Sequence, residues 1–154
     1  MTVLSPYDDN KARLELFEIF KPLLSDPSAT ADSQKHLAIL RSMAKTLPGP
    51  LKPTKSQLEI PHYHGIDMVV SPSLRDRLLT LNPEAARNLI DDLGIIQRNN
   101  NRSVIIWGDD PLNEMYWELS QETIERWGLI LGNEWIQRSN FWRKHRGATL
   151  LPEW

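Results

Sequence analysis

The sequence predicts an all-α fold: a single-domain bundle of about six or seven short helices with two short extended segments. Three observations predict it. Apolar residues recur at three- and four-residue intervals in separate windows, as at Leu14, Phe17, Phe20 and Leu24. Pairs of a capping side chain and a proline punctuate the chain at Ser71-Pro72, Asn82-Pro83 and Asp110-Pro111. Runs alternating apolar and polar residues are too few for a sheet-dominated fold, and no heptad or longer repeat persists. A chain of 154 residues fits one compact domain with a core of useful size.

Taken in order, Asp8 and Asp9 place acid at the start of a helix expected from about Asp9 to Leu24, where the N-terminal dipole favours it. Ser25-Asp26-Pro27-Ser28 interrupts that helix, because proline lacks the N–H. Asp32 caps a second helix with Leu37, Leu40, Met43, Ala44 and Leu47 on its apolar face, ending at Pro48-Gly49-Pro50. Residues 54–72 show no long helical period and are expected to cross the core in extended form. Ser71-Pro72 then starts a helix through Leu74, Leu78 and Leu79, and Asn82-Pro83 another through Leu89, Ile90 and Leu93, with Gly94 at its end. The polar run Arg98-Asn99-Asn100-Asn101-Arg102-Ser103 reads as an exposed loop, and Val104 to Trp107 as a buried extended piece. Asp110-Pro111 is expected to open a short helix carrying Met115 and Trp117. Ser120 starts a helix through Ile124, Trp127 and Leu131, and a last helix runs from about Glu134 through Trp142 to a left-handed stop at Gly147.

Composition excludes several function classes. The 18 Lys and Arg balance 20 Asp and Glu, so no overall field favours phosphate backbones or anionic lipid, and neither a nucleic acid nor a membrane is expected as partner. With no cysteine there is no disulfide framework, thiolate nucleophile or Cys-based metal site. The N-terminal residues lack a secretory pattern, and no stretch approaches the roughly 20 apolar residues of a spanning helix. The cytoplasm, or the nucleus, is the expected compartment. A homodimer is compatible with the pattern.

One ordered set of motifs resembles a known family. It comprises His64-Gly-Ile-Asp67, Ser71-Pro72-Ser-Leu74-Arg75-Asp76, Trp107-Gly108-Asp109-Asp110-Pro111, Trp117-Glu118, Trp127, and Ser139-Asn140-Phe-Trp142-Arg143-Lys-His-Arg146-Gly147. The set is similar to a fungal domain of unknown function, best known as the C-terminal part of bZIP-type transcription factors, over about residues 64–147. The resemblance implies a helical domain and a fungal source. This chain departs from the pattern in having His64-Gly65 where the family often has His-Pro, and in having neither a basic region nor leucine heptads before residue 64. It is therefore expected to be a stand-alone version without a DNA-reading arm.

Pro61-His62-Tyr63-His64-Gly65-Ile66-Asp67 is the densest cluster of proton-moving groups. In extended chain His62 and His64 would share a face, with His64 and Asp67 as a proton-transfer pair. The structural alternative is one histidine bonded to a backbone carbonyl and one on the surface. His62-x-His64 with Asp67 also offers donors of the kind zinc or iron accepts, but His36 and His145 fall on separate helices, and no metal is expected. Asp109 and Asp110 follow Trp107, where Asp110 reads as a cap and Asp109 is freer. Glu118 beside Trp117 is either a general acid in an apolar setting or the ion-pair partner of Arg143 or Arg146. Of the tryptophans, Trp117, Trp127, Trp135 and Trp142 read as core, with large rings also suited to pocket walls.

No phosphate loop, dinucleotide fingerprint, nucleophile elbow or His-Glu-x-x-His pair is present, so no cofactor is expected. Two functions fit. The first is a cofactor-independent acid–base enzyme, a cyclase, isomerase or dehydratase acting on a small apolar or aromatic fungal secondary metabolite. Its catalytic candidates are His64 and Asp67, with His62, Asp109 and Glu118 in reserve, and its ligand contacts Trp107, Trp117, Tyr63, Arg75 and Trp142. The second is a non-catalytic ligand-sensing or protein-interaction domain related to the regulatory domain of bZIP factors.

Overall fold

The carboxylate of Asp8 accepts the backbone N–H groups of Asn10 and Lys11, which would otherwise lack partners, and opens α1 (Asp9–Ile19). The computed structural model describes residues 4–96 and 103–153; the polar run expected as a loop lies, up to Arg102, outside them. The single helix expected over 9–24 is two, because Pro22 enters the second position of α2 (Lys21–Leu24), where its missing N–H suits a helix start. Asp26 caps α3 (Pro27–Ala31), and Asp32 caps α4 (Ser33–Met43), whose inward face carries His36, Leu37, Leu40 and Met43.

The extended crossing expected over 54–72 is a correction. Thr54 and Gln57 form a reciprocal capping box that starts α5 (Lys55–Glu59), and His64–Met68 coils into a 3-10 segment. The first coils because Thr54 and Gln57 satisfy its leading backbone groups, and the second through its own three-residue backbone bonds, Ile66 N–H to the Tyr63 carbonyl and Val69 N–H to that of Ile66, both at 3.1 Å. Ser71 and Asn82 cap α6 (Pro72–Leu78) and α7 (Pro83–Asp92) at their prolines as expected, and Gly94 follows at φ +70°.

β1 (Val104–Ile106) pairs antiparallel with β2 (Trp117–Leu119), matching Val104 with Leu119, Ile105 with Glu118 and Ile106 with Trp117. Trp117 therefore sits on a strand, not on the helix expected after Asp110-Pro111. The Asp110 side chain is spent on the N–H of Leu112 in a turn, and Asn113 caps only the short 3-10 turn Glu114–Tyr116. Ser120 starts α8 (Gln121–Leu131), and α9 (Asn133–His145) packs on the strand pair. Gly132, at φ +81° and ψ 168°, makes the sharp turn between them in a conformation that residues with a Cβ rarely adopt.

The nine α-helices and two strands of the described residues enclose one core, mostly helical as predicted. Phe20, Leu40, Leu78, Ile90 and Ile136 have no exposed surface, each burial being worth about 1.5–3 kcal/mol. Trp117, Trp135 and Trp142 are buried as expected, whereas Trp127 is half-buried, its indole N–H donating to Asp92 at 2.7 Å. Among the described residues, no helix is long and apolar enough to cross a membrane.

Candidate functional site

Five polar side chains from five successive parts of the chain meet inside the protein. His36 reaches in from α4, Gln57 from α5, His62 from the connector after it, Asp67 from the 3-10 segment, and Arg75 from α6. Asp67 is wholly buried and stands at the centre. His36 Nε2 lies 2.6 Å from its Oδ2, His62 Nε2 lies 2.6 Å from its Oδ1, and Gln57 Nε2 donates to Oδ1 at 2.9 Å. The other end of the Gln57 amide accepts from Arg75 Nε at 2.7 Å and from the Thr54 backbone N–H at 3.0 Å. Arg75 has no exposed surface either. Its Nη1 donates to the carbonyls of Pro50, at 2.9 Å, and Val69, and its Nη2 to that of Lys52, at 2.8 Å. Buried charge is tolerated only when bonded in this way.

The electrostatics follow from the geometry. Burial alone would raise the Asp67 carboxyl, but the hydrogen bonds from His36 and His62 outweigh it and hold the group below the usual carboxylate range. Burial likewise opposes charge on His62, yet the bond to Asp67, its negative charge and the Ile60 carbonyl carry that imidazole above its ordinary value. His64, half-buried without such a partner, is pushed down by desolvation and then by the nearby His36. Burial lowers the Arg75 guanidinium to about 10, which leaves it charged at neutral pH.

The expected pairing of His64 with Asp67 is a correction: His62 and His36 occupy both carboxylate oxygens. His64 begins the 3-10 segment whereas His62 lies in the connector before it, so the two do not belong to the single extended run in which a shared face is expected. His64 instead meets the Tyr63 ring edge-on at 4.8 Å, and Arg87 lies 5.9 Å from that ring. Arg75, expected to contact a ligand, has its whole fork committed to protein acceptors. His36 and Gln57 were missed. His36 shares the inward phase of α4 with Leu40 and Met43, a signal that sequence reasoning had available, and Gln57 stands three residues after Thr54.

The remaining candidates are elsewhere. Glu118, buried on β2, accepts from Arg146 Nε at 3.1 Å and Nη2 at 2.7 Å and from Trp107 Nε1 at 3.2 Å, with Arg143 3.9 Å away. Trp107 stacks on Trp142 at 5.9 Å, and Trp142 Nε1 donates to the Met115 carbonyl. Asp109 is exposed on the turn after Trp107. Trp117 lines a cleft of about 80 Å³ between α1 and the strand pair, with Leu16, Leu93, Ile95, Ile106 and Leu112 among its apolar walls. The His36–Asp67–His62 cluster does not open into this cleft.

His36, His62 and Asp67 are also the residue types that hold a divalent cation, and their ligand atoms lie within 4.8 Å of one another. Donors bound to one tetrahedral ion at about 2.0–2.1 Å stand roughly 3.3 Å apart, well beyond the 2.6 Å contacts here. The buried guanidinium of Arg75 adds further positive charge, so hydrogens fit these contacts better than an ion does.

Comparison with curated proteins and with solved structures returned no match. The family described as Domain of unknown function (DUF3425) matches residues 33–146, a span that begins at α4 and includes all five members of the buried cluster. The chain belongs to this DUF3425 family of domains of unknown function.

Proposed function

We propose that this chain is a non-catalytic protein-interaction domain of regulatory type, related to the domain at the C-terminal end of fungal bZIP factors and acting in the cytoplasm or nucleus. One observation carries the reading. Asp67 and the two histidines bonded to it form a closed network in which Asp67 has no exposed surface and takes three hydrogen bonds, which leaves no place for a substrate atom at that carboxylate. Neither the cleft of about 80 Å³ beside Trp117 nor the more open hollow of about 470 Å³ beside Tyr7 is lined by His62, His64, Asp67, Asp109 or Glu118, so neither would bring a metabolite to the acid–base candidates.

The competing acid–base enzyme is separated from this reading by two substitutions. His64→Gln leaves the sealed network intact, and Asp67→Asn strikes it directly. Each variant is returned to a strain lacking the chain, and its cellular output is compared with its thermal unfolding and its soluble level. The interaction reading expects His64→Gln to restore wild-type output and Asp67→Asn to fail only in step with loss of folded protein. A variant of either kind that is folded and abundant yet without output supports the enzyme and overturns the proposal.

A further inference from the structure

His62 has an acceptor oxygen at both ring nitrogens. Nδ1 lies 2.6 Å from the Ile60 carbonyl and Nε2 lies 2.6 Å from Asp67 Oδ1. A carbonyl has no hydrogen to give, and an ionised carboxylate has none, so both nitrogens must donate. Only the imidazolium form does so. His36 differs: it meets Asp67 through Nε2, and one hydrogen there is enough for that contact.

We infer that the junction between α4 and residues 60–67 is a proton-held clasp, in which the doubly protonated ring of His62 ties the connector to Asp67 and, through that carboxylate, to His36 of α4. Loss of one hydrogen leaves a lone pair facing an oxygen at 2.6 Å on a ring whose side chain is only 3% exposed, so the contact turns repulsive and either the bond to Ile60 or the bond to Asp67 opens. The connector after α5 then detaches, and α4 loses one of its anchors to the core. Arg41 Nη2 still donates to the Leu58 carbonyl at 2.7 Å, so the element loosens without the whole domain unfolding. This inference is independent of the interaction reading, because it concerns the state of the cluster and not what the domain binds.

The charged and titratable neighbours define the direction of the response. Facing His62 are His36 from α4, whose ring lies edge-on at 4.7 Å, and Asp67 from the 3-10 segment; further out stand His64, Arg75 on α6 behind Gln57, and Arg87 on α7. Because the folded value of His62 is raised above its unfolded value, its stabilisation is fully present below the unfolded value and is lost as pH rises through the folded one. His64 is lowered, so its contribution runs the other way: stability falls as pH drops through its unfolded value. Asp67 is lowered and its contribution is lost only as pH falls through its folded value, in the acid range.

The test is nitrogen-15 imidazole NMR of the full chain across pH, with backbone amide exchange followed in parallel. Both His62 ring nitrogens are expected in the protonated form at pH 7, with a titration midpoint above that of the histidines in the urea-unfolded chain. Protection factors at α4 and α5, which are exchange rates corrected for base catalysis, are expected to fall above that midpoint relative to the rest of the core, in wild type and in His64→Gln alike. A neutral single tautomer of His62 at pH 7 overturns the inference, as does a midpoint at or below the unfolded value. Stoichiometric metal retained through purification, with unfolding shifted by EDTA, also overturns it, since an ion would then stand where the hydrogens are placed. In His62→Gln, if it folds, the alkaline fall in protection at α4 and α5 should vanish; its persistence counts against the clasp.

Discussion

Arg75→Met replaces a buried cation by an apolar chain of comparable length and removes four hydrogen bonds at once. Three went to the backbone carbonyls of Pro50, Lys52 and Val69, and the fourth to Gln57 Oε1; the Val69 and Gln57 bonds are buried, the other two partly so. Bonds from a charged donor contribute about 1.5–3 kcal/mol each, but a plain sum overstates the loss. Methionine no longer has a charge to desolvate and gains apolar burial, whereas the orphaned carbonyls keep their desolvation cost. The net expectation is about 3–5 kcal/mol, the size seen when one member of a buried charged network is removed. A domain of ordinary stability holds about 5–15 kcal/mol, so the variant should be strongly weakened or unfolded at 37 °C. Urea unfolding followed by tryptophan fluorescence measures it; with slopes of about 1–3 kcal/mol/M the midpoint should drop by roughly 1–5 M. Arg75→Lys, keeping charge without the planar fork, should fall between the two. An Arg75→Met protein within about 1 kcal/mol of wild type would refute the account of this network.

Three further expectations use the same unfolding assay. Glu118→Gln removes the charge that receives Arg146 and Trp107, and should destabilise by about 2–3 kcal/mol with a change in tryptophan emission. Gly132→Ala forces a Cβ into a φ of +81° and to 3.0 Å from Arg77 Nη1, costing about 1–3 kcal/mol; a neutral result would mean the turn relaxes. Asp32→Ala uncaps α4 at an exposed position and should cost about 1 kcal/mol, with the loss concentrated in amide exchange of the first turn.

The helix starts were legible because their cause is local. Asp32, Ser71, Asn82 and Ser120 each bond a backbone N–H within three residues, and the two prolines at 72 and 83 mark the same places. The inward phase of α4 was legible from Leu37, Leu40 and Met43 for the same reason. What failed depended on contacts distant in sequence. Asp67 stands out in the sequence as a chemically interesting group, but its partner His36 lies 31 positions upstream, and no local spacing announces that bond. Glu118 has two fates open to it in the sequence, and pairing with Arg146, 28 positions away, decides between them. Asp110-Pro111 carries a helix-start signal ahead of Trp117, yet pairing with Ile106 recruits that residue to a strand. The extended reading of 54–72 failed for the opposite reason, since Thr54 and Gln57 carried a local signal that the flanking proline Pro53 obscured.

The fork of Arg75 grips Pro50 and Lys52 on one side and Val69 on the other, while the amide it steadies leads on to Asp67, His62 and His36. No member of that chain is replaceable without stranding the next. Among relatives, positions 36, 57, 62, 67 and 75 are therefore expected to vary as a block or not at all, whereas the neighbouring surface drifts freely. An evolutionary record in which these five change independently would mean that the interior tolerates broken links the physics treats as prohibitive.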